Sequence, residues 1–376
     1  MPGMFGDGAV EACRGWGVRL GSGMPADRPP TDLSLEEVEA WLVGQGRKPA
    51  HAPRLLRALL GLGGKSAGWR LPEGLLARLQ ADFPAAATEP VRRQVAADDT
   101  TKLLLRLRDG RTVESVLMPD YHPDRAAGCV SSQVGCAMGC DFCATTQTGF
   151  ERHLSSGEIV EQFLHLRREA VAAGRTLRTL VFMGMGEPML NLDNVLAAVR
   201  RIADPRLGGF GWRQITVSTV GVVPGIDALR EAGLGVHLAL SLHAPDDATR
   251  ADLLPMGRRY PVDEVLAAAD RYQAASGRVT TIQYCLLEGV NDAPEQARAL
   301  ARRLNGRRMH VNLLRYNPTG LSLRGRSYVP SSPERTEDFL AELRAAGAVA
   351  HLRRARGQDI DAACGQLRRR VQAEVA

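Results

Sequence analysis

A run of eight residues, Cys136-Ala-Met-Gly-Cys140-Asp-Phe-Cys143, sets the strongest limit on the chemistry of this chain, because it holds three cysteines. Structural zinc takes four ligands, in pairs such as two C-x2-C units or a cysteine pair with a histidine pair, and the chain offers no second such pair. Buried structural cysteines are the simpler alternative, but only seven cysteines exist in the whole chain. A [4Fe–4S] cluster usually takes four cysteine ligands. A set of three therefore predicts a cluster with one iron open to a substrate or cofactor.

The composition is that of an ordinary globular protein. The chain has 376 residues, 44% of them apolar, which is enough for a large α/β domain and a smaller one. No apolar run approaches the roughly 20 residues that a membrane-spanning helix needs. Residues 1–30 lack the charged start and apolar centre of a signal peptide. Because the cysteines also show no disulfide-like framework, we expect a cytoplasmic protein that does not bind a membrane.

The net charge of +6 is unevenly distributed along the chain. From Arg298 to the C-terminus there are 16 Arg and 7 acidic residues, so this region carries +9 and the remainder −3. Arginine neutralises phosphate groups with multidentate contacts, which makes the region a candidate for contact with a nucleic-acid backbone. A solvated, arginine-rich face explains the charge equally well.

The sequence predicts four regions. Residues 1–30 are rich in Gly and Pro and predict a flexible tail, in which Cys13 has no assigned role. Residues 31–95 predict a helical accessory domain, beginning with a helix after Ser34. Residues 96–127 predict a β-hairpin linker around an Asp-Gly turn. Residues 128–376 predict a catalytic barrel with a C-terminal segment.

Within the barrel region, predicted strands alternate with amphipathic helices. Such repeats imply an α/β fold with a parallel sheet, which right-handed crossovers curl into a partial (βα)6 barrel. The active site of such a barrel lies at the carboxyl ends of its strands. The predicted strands are 129–133, 179–183, 214–219, 236–242, 279–287 and 310–316, with a further β-like stretch at 348–353; the predicted helices are 157–172, 194–202, 225–231, 262–274, 294–304 and 333–345.

Polar residues and glycines follow the predicted strands, at the expected place for a cofactor site. Gly184-Met-Gly186-Glu187-Pro188 ends the second strand, where glycines let a ligand approach the backbone and a carboxylate could hold the ammonium of an amino-acid cofactor. Each of the others could be a turn or cap residue, but together they predict hydrogen bonds to a cofactor across the barrel mouth. These candidates are Ser218, Ser241, Leu242, His243 and Asn317.

Two further cysteines lie outside the three-cysteine loop, the tail and the expected core. Cys129 precedes the loop, and Cys364 lies in the C-terminal segment, whereas Cys285 stands among apolar residues and is expected in the core. Cys129 and Cys364 could be small buried hydrophobes. Alternatively, they are a nucleophile and a resolving thiol that must come together.

The ordered motifs together resemble the RlmN/Cfr family of radical S-adenosylmethionine (SAM) RNA methyltransferases. The similarity extends from about Glu114 to Leu367, and the helical module resembles the RNA-binding accessory domain of that family in kind and position. The motifs that carry the resemblance are residues 129–136, 136–143, 184–188, 218–224, 241–245, 289–292 and 359–367.

The resemblance implies a two-stage methyl transfer. Cys136, Cys140 and Cys143 would hold the [4Fe–4S] cluster, whose open iron binds SAM. One SAM would methylate Cys364, and a second would be cleaved to a 5′-deoxyadenosyl radical that takes hydrogen from the S-methyl group, so that two SAM are used per turnover. The carbon radical would then add to an adenine ring. Glu114 would take the ring proton, and Cys129 would release the methylated base by forming a disulfide with Cys364.

The family also implies the substrate and the partners. Its substrate is 23S rRNA, methylated at adenosine C2 by RlmN, which also modifies certain tRNAs, and at C8 by Cfr. The motif 184–188 resembles RlmN, whereas residues 259–264 and 310–319 are closer to Cfr, and Gln283 departs from a Glu common in RlmN. We favour C2, with C8 as the alternative. We expect a monomer that receives electrons from a reductant protein such as flavodoxin or ferredoxin.

Two more distant alternatives remain. One is a radical SAM enzyme acting on a protein or small molecule, and the other is a non-enzymatic zinc or RNA-binding protein.

Overall fold

The computed structural model describes residues 28–61, 71–84 and 86–367. Nearly all of the predicted tail, with Cys13, therefore lies outside the described residues. The α-helices are α1 (Leu35–Gly44), α2 (Ala52–Leu59), α3 (Leu75–Asp82), α4 (Ala144–Gln147), α5 (Ser156–Ala172), α6 (Leu192–Ala203), α7 (Val223–Glu231), α8 (Asp247–Leu253), α9 (Val262–Ser276), α10 (Pro294–Leu304) and α11 (Pro333–Ala345). The strands are β1 (Thr88–Val95), β2 (Thr101–Leu107), β3 (Thr112–Pro119), β4 (Arg125–Cys129), β5 (Gln133–Gly135), β6 (Phe150–His153), β7 (Thr176–Phe182), β8 (Ile215–Thr219), β9 (His237–Ser241), β10 (Thr280–Leu286), β11 (Met309–Arg315) and β12 (Val349–Leu352).

The described strands form one ten-stranded sheet and one small two-stranded sheet. The large sheet has the order β1-β2-β3-β4-β7-β8-β9-β10-β11-β12, and β5 pairs with β6. From β1 to β4 the pairing is antiparallel, and from β4 to β12 it is parallel. Helices α5 to α11 connect the parallel strands, which confirms the α/β fold predicted from the alternating pattern.

Two segments differ from the sequence-based expectation. Residues 129–133 were predicted as one strand, but β4 ends at Cys129 and β5 begins at Gln133. The chain leaves the sheet because the amides of Ser131 and Ser132 donate to Gln162 Oε1 and to the carbonyl of Met185 instead of to a neighbouring strand. Residues 88–95, which the sequence placed in the helical domain, form β1 at the edge of the large sheet.

The hairpin is part of the large sheet and is not a separate linker between two domains. Strands β2 and β3 pair in antiparallel register across the predicted turn, where Gly110 has a φ of 82° that favours glycine. Strand β3 then pairs with β4, the first strand of the barrel. The hairpin therefore extends the barrel sheet, and the residues that it carries reach the edge of the barrel.

The N-terminal helices have a small core of their own. Leu33, Val38, Leu42, Leu55 and Leu79 are completely buried and pack together between α1, α2 and α3. The hydroxyl of Ser34 accepts the amide of Glu37, whose carboxylate accepts the amide of Ser34, so a reciprocal capping box begins α1. A second such box at Ser155 begins α5, as its sequence predicts.

One buried carboxylate fastens this helical module to the barrel. Glu161 on α5 accepts hydrogen bonds from the hydroxyls of Thr31 and Thr88, at 2.8 and 3.0 Å, and from the amides of Ala87 and Thr88, at 2.8 and 2.7 Å. Hydrogen bonds to a charged acceptor are stronger than neutral ones. Glu161 therefore links the segment before α1 and the start of β1 to a barrel helix.

None of the described helices is both long and apolar enough to cross a membrane.

Replacing Glu161 with Ala is expected to destabilise the protein by about 3 kcal/mol, because it leaves the buried amides of Ala87 and Thr88 without an acceptor. Chemical denaturation measures this change. The matched control is Glu169→Ala on the same helix, since Glu169 makes an exposed ion pair with Arg93. That control should cost less than about 1 kcal/mol. Equal losses in the two variants would contradict the linking role of Glu161.

Candidate active site

The carboxyl ends of the parallel strands surround a cavity that collects most of the predicted site residues. Since the strands are parallel, these ends meet at one edge of the sheet, where barrel enzymes carry their sites. In the described part of the chain, Leu242, Cys129 and Glu114 are the predicted residues that do not line this cavity. The predicted residues on its wall are Cys136, Cys140, Cys143, Gly186, Glu187, Ser218, Ser241, His243, Asn317 and Cys364.

Hydrogen bonds to its own backbone carbonyls and to one buried acid hold the three-cysteine loop in place. The hydroxyl of Thr146 donates to the carbonyls of Cys140 and Cys143, at 3.0 and 2.8 Å. Asp141, which is completely buried, accepts the hydroxyl of Tyr328 at 2.7 Å. These contacts fix the loop, so its three thiols face one cavity.

The donor set fits an iron–sulfur cluster. Burial raises the pKa of Cys136 to about 12, raises that of Cys140 well above its usual range, and raises that of Cys143. Buried thiolates therefore need positive charge beside them, which cluster irons supply. Over the described residues, no group of three or more His, Cys, Asp or Glu side chains forms a site for a metal ion. A [4Fe–4S] cluster would not require such a site, because its cysteine ligands do not converge on a single ion.

The glycines after β7 have a structural reason that the sequence did not reveal. A Cβ at Gly184 would lie 2.7 Å from Ser131 Oγ, and one at Gly186, whose φ is 98°, would lie 2.5 Å from Gln133 Cβ. Both glycines also line the cavity. They are thus required for close packing against the segment that follows β4, whether or not a ligand approaches them.

Glu187 is a buried carboxylate at the base of the cavity. Its Oε1 accepts the amide of Met189 at 3.1 Å, and its Oε2 accepts the amide of Val220 at 2.9 Å. Burial raises its pKa to about 7, and these hydrogen bonds oppose the rise. The carboxylate is therefore fixed in place, with lone pairs left to accept further hydrogen bonds.

His243 is a neutral hydrogen-bond donor. Its Nδ1 accepts the amide of Cys285 at 2.9 Å, so the proton of the neutral ring is assigned to Nε2. Burial, with the nearby charge of Arg250, lowers its pKa to about 3. His243 has a left-handed φ of 59°, and Asn291 Nδ2 donates to its carbonyl at 2.7 Å. The ring is thus held at the cavity wall as an uncharged imidazole.

Leu242 does not line the cavity, although its neighbours Ser241 and His243 do. Its side chain is 0% exposed and belongs to the hydrophobic core. Ser241 lines the cavity, and successive residues of an extended chain point to opposite sides. The side chain of Leu242 therefore packs behind the cavity wall.

Sequence reasoning missed several residues of the site. Cys285, expected in the core, is only half-buried and lines the cavity with Gln283. The alternation along β10 could have indicated this, because Gln283 and Cys285 share one face, and Gln283 is in register with Ser241. Arg353, just after β12, also reaches the cavity, and no motif indicated that position.

The C-terminal segment is tied to the barrel mouth by hydrogen bonds on both sides of Cys364. The amide of Ala144 donates to the carbonyl of Gly365 at 2.7 Å. Asn317 Nδ2 donates to the carbonyl of Cys364 at 3.4 Å, and Gln358 Nε2 donates to Asn317 Oδ1 at 2.7 Å. Asn317 therefore helps to position Cys364, a role beyond the cofactor contact predicted for it.

A second cavity adjoins the first and brings in Cys129. Cys364 and Arg353 contribute to both walls, whereas Cys129 lines only the second. Cys129 and Cys364 are both free thiols, the first buried and the second exposed. Burial, reinforced by the nearby Cys364, raises the pKa of Cys129 to about 12, and the charge of Arg353 opposes this.

Glu114 lies behind this second cavity. It is completely buried, and its Oε1 forms an ion pair with Lys102 Nζ at 3.2 Å. Its carbonyl accepts the hydroxyl of Ser131 at 2.7 Å. Glu114, on the predicted hairpin, is therefore a buried carboxylate.

Alkylation by iodoacetamide at neutral pH should label Cys364 at least about 100-fold faster than Cys129, because only the thiolate reacts and burial keeps Cys129 protonated. Peptide mapping by mass spectrometry of the native protein, kept anaerobic, measures both rates. A Cys364→Ser variant should lose the fast phase. Similar rates at the two cysteines would contradict the assigned burial.

The comparisons with known proteins agree with this site. The family model described as Radical SAM superfamily matches residues 130–303. A protein of Opitutus terrae, named probable dual-specificity RNA methyltransferase RlmN 1, is 66% identical over 339 residues, which are 90% of this chain and 96% of that protein. A probable dual-specificity RNA methyltransferase RlmN of Symbiobacterium thermophilum is 44% identical over 348 residues, 92% of each chain.

A solved structure extends the agreement to three dimensions. The crystal structure of a radical SAM methyltransferase from Sphaerobacter thermophilus matches with a TM-score of 0.83 and 43% identity, covering 90% of this chain and 99% of that chain. Sequence and fold thus agree over nearly the whole length. The chain belongs to the RlmN/Cfr family of radical SAM RNA methyltransferases.

Proposed function

We propose that the protein methylates a ring carbon of an adenosine in 23S rRNA, with C2 as the favoured position and tRNA as a second substrate. The names of its relatives, which call them dual-specificity RNA methyltransferases, support two RNA substrates. The observation that carries the proposal is the position of Cys364, on the wall shared by the two cavities. A methyl carrier needs such a position, because it must meet the methyl donor on one side and the RNA base on the other.

In this proposal, Cys136, Cys140 and Cys143 hold the [4Fe–4S] cluster. When bound, the cluster and SAM supply a methyl group in one round and a hydrogen-abstracting radical in the next, so that two SAM molecules are used per turnover. Residues already on the cavity wall orient SAM. Glu187 accepts its ammonium, His243 donates from Nε2, and the remaining contacts come from Gly186, Ser218, Ser241 and Asn317.

Cys364 carries the methyl group. Its exposed sulfur takes the methyl by nucleophilic displacement and becomes S-methylcysteine. Radical chemistry at this methyl is needed next, because an aromatic C–H carbon of adenine is a poor nucleophile. The methylene carbon then joins the sulfur of Cys364 to the base.

Glu114 and Cys129 complete the transfer. Glu114 takes the proton of the ring C–H bond, whose electron pair stays in the ring. The unpaired electron that radical addition leaves on the ring is lost in a one-electron oxidation, for which the cluster would be the acceptor. The sulfur of Cys129 then bonds to the sulfur of Cys364, and the bond between that sulfur and the methylene carbon breaks. The carbon keeps that electron pair and takes a proton, which gives the methyl group. Arg353 lines the wall beside Cys129 and favours its thiolate.

Two partners belong to the same proposal. A flavodoxin- or ferredoxin-type protein supplies single electrons to the cluster, and a dithiol reductant reopens the disulfide after each turnover. The enzyme acts as a monomer.

Anaerobically reconstituted protein, incubated with SAM, reductant and unmodified 23S RNA, is expected to produce 2-methyladenosine. Digestion to nucleosides followed by mass spectrometry and retention comparison measures it. Appearance of 8-methyladenosine instead would move the target carbon to C8. Absence of both from cluster-loaded protein would reject the proposal.

A Cys364→Ala variant should lose methyl transfer completely, because no other side chain is proposed to carry the methyl group. Mass spectrometry should show S-methylation of Cys364 in the native protein treated with SAM. Cys13→Ala, at a position with no assigned role, is the control and should retain activity. Transfer by Cys364→Ala at the native rate would show that the methyl group passes directly to RNA.

A Cys129→Ala variant should accumulate protein linked covalently to RNA, since the adduct forms but is not resolved. A shifted band on a denaturing gel, sensitive to RNase, measures it. Product release at the native rate by this variant would exclude Cys129 as the resolving thiol.

A further inference from the structure

A buried ion pair lies beside the second cavity, and its lysine has no role in the steps above. Lys102 on β2 and Glu114 on β3 approach to 3.2 Å, with side chains only 5% and 0% exposed. Removing two charges from water is costly, and a buried pair is often no more stable than a well-packed apolar one. A contribution to the stability of the hairpin therefore does not by itself explain why this ion pair is buried there.

The sheet register relates this pair to the catalytic cysteines. Lys102 stands opposite Val116, and Val116 stands opposite Cys129, so the three form one row across β2, β3 and β4. Glu114, Val116 and Met118 share one face of β3 because side chains alternate along a strand. Val116 and Met118 line the second cavity. Glu114 is thus the next residue along the same face, immediately behind the cavity.

Lys102 also reaches the segment that carries Cys364. Its Nζ donates to the carbonyl of Asp361 at 3.3 Å. The same segment is held against the turn before β2, where the amide of Ala97 donates to Asp359 Oδ2 at 2.9 Å and Asp98 Oδ2 accepts the amide of Gly357 at 3.2 Å. Lys102 therefore touches both the proposed base and the segment that presents the methyl-carrying sulfur.

We propose that Lys102 is a positioning residue for proton abstraction, which holds the carboxylate of Glu114 as an anion and ties it to the segment of Cys364 through the carbonyl of Asp361. This inference rests on the proposed function, and within it on Glu114 as the base. Lys102 itself does not touch the RNA base. It acts by keeping a proton acceptor charged in a place without water.

Among the charged groups around Glu114, Lys102 forms the ion pair. It approaches the carboxylate from β2. The C-terminal segment contributes a carbonyl from Asp361, and its Arg356 faces Asp98 at 3.9 Å. Arg353 and Cys129 line the adjoining cavity. Removing the charge of Lys102 would leave a buried carboxylate that favours its neutral, protonated form.

The test follows the RNA adduct and the product in Lys102→Met, Lys102→Arg and Glu114→Gln, over a series of pH values. Lys102→Met should form S-methylated Cys364 normally, yet accumulate the RNA adduct at neutral pH and release product on the order of 10²-fold more slowly. The acidic limb of its pH–rate profile should move to higher pH, because Glu114, without the charge of Lys102, holds its proton more tightly and must first lose it. Lys102→Arg should restore both the rate and the profile.

The controls separate this role from a structural one. Arg106→Met, on the same strand, removes an exposed ion pair with Glu89 and should not accumulate adduct. Lys102→Gln keeps a hydrogen-bond donor without the charge and repeats the test should Lys102→Met fail to fold.

Three outcomes would overturn the inference, and they are distinguishable. Normal release with an unshifted pH profile in Lys102→Met and Lys102→Gln, beside a defective Glu114→Gln, would overturn the role of Lys102 alone. Normal release in Glu114→Gln would remove Glu114 as the base and, with it, this inference. Loss of S-methylation in Lys102→Met would likewise reject it, in favour of a structural role for Lys102 in placing Cys364.

Discussion

The hydrogen bond from the amide of Ala144 to the carbonyl of Gly365 joins the three-cysteine loop to the C-terminal segment. With the companion contact from Asn317, it holds at the barrel mouth a sulfur that is more than 200 residues away along the chain from Cys143. The two cavities exist as a pair because this segment lies between them. In the proposed function, methyl acceptance and base methylation therefore depend on one thiol held by its backbone, while its side chain stays accessible.

Burial sets the protonation state of the groups around that thiol. His243 is kept neutral because its Nδ1 accepts a backbone amide and its ring is away from water. Burial raises the pKa of Glu187 to about 7 and that of Cys129 to about 12. The raised pKa of Cys129 suits its proposed task, since a resolving thiol that stays protonated does not attack Cys364 before the RNA adduct forms. Glu114 differs, because it forms an ion pair with a buried lysine.

Much of this architecture could be predicted from residue patterns. The alternation of apolar strands and amphipathic helices predicted the parallel sheet, and the ends of α10 and α11 were placed correctly because Pro and capping residues mark them. The break after Cys129 could not be foreseen, because side-chain and loop acceptors, not local propensity, take the amides of Ser131 and Ser132. The apolar neighbours of Cys285 suggested the core, although its alternation with Gln283 along β10 already indicates the cavity face.

By itself, the sequence determined the chemistry: three cysteines at fixed spacing, a glycine-rich strand end and two outlying thiols are covalent facts that any fold must accommodate. Only the tertiary structure decided which of these groups meet, which are buried and which are charged. It placed Leu242 behind the cavity wall, assigned Gly184 and Gly186 to close packing, and gave Glu114 a buried lysine partner. The physical reason is that proximity and desolvation arise between distant segments, and neither is encoded in the local order of residues.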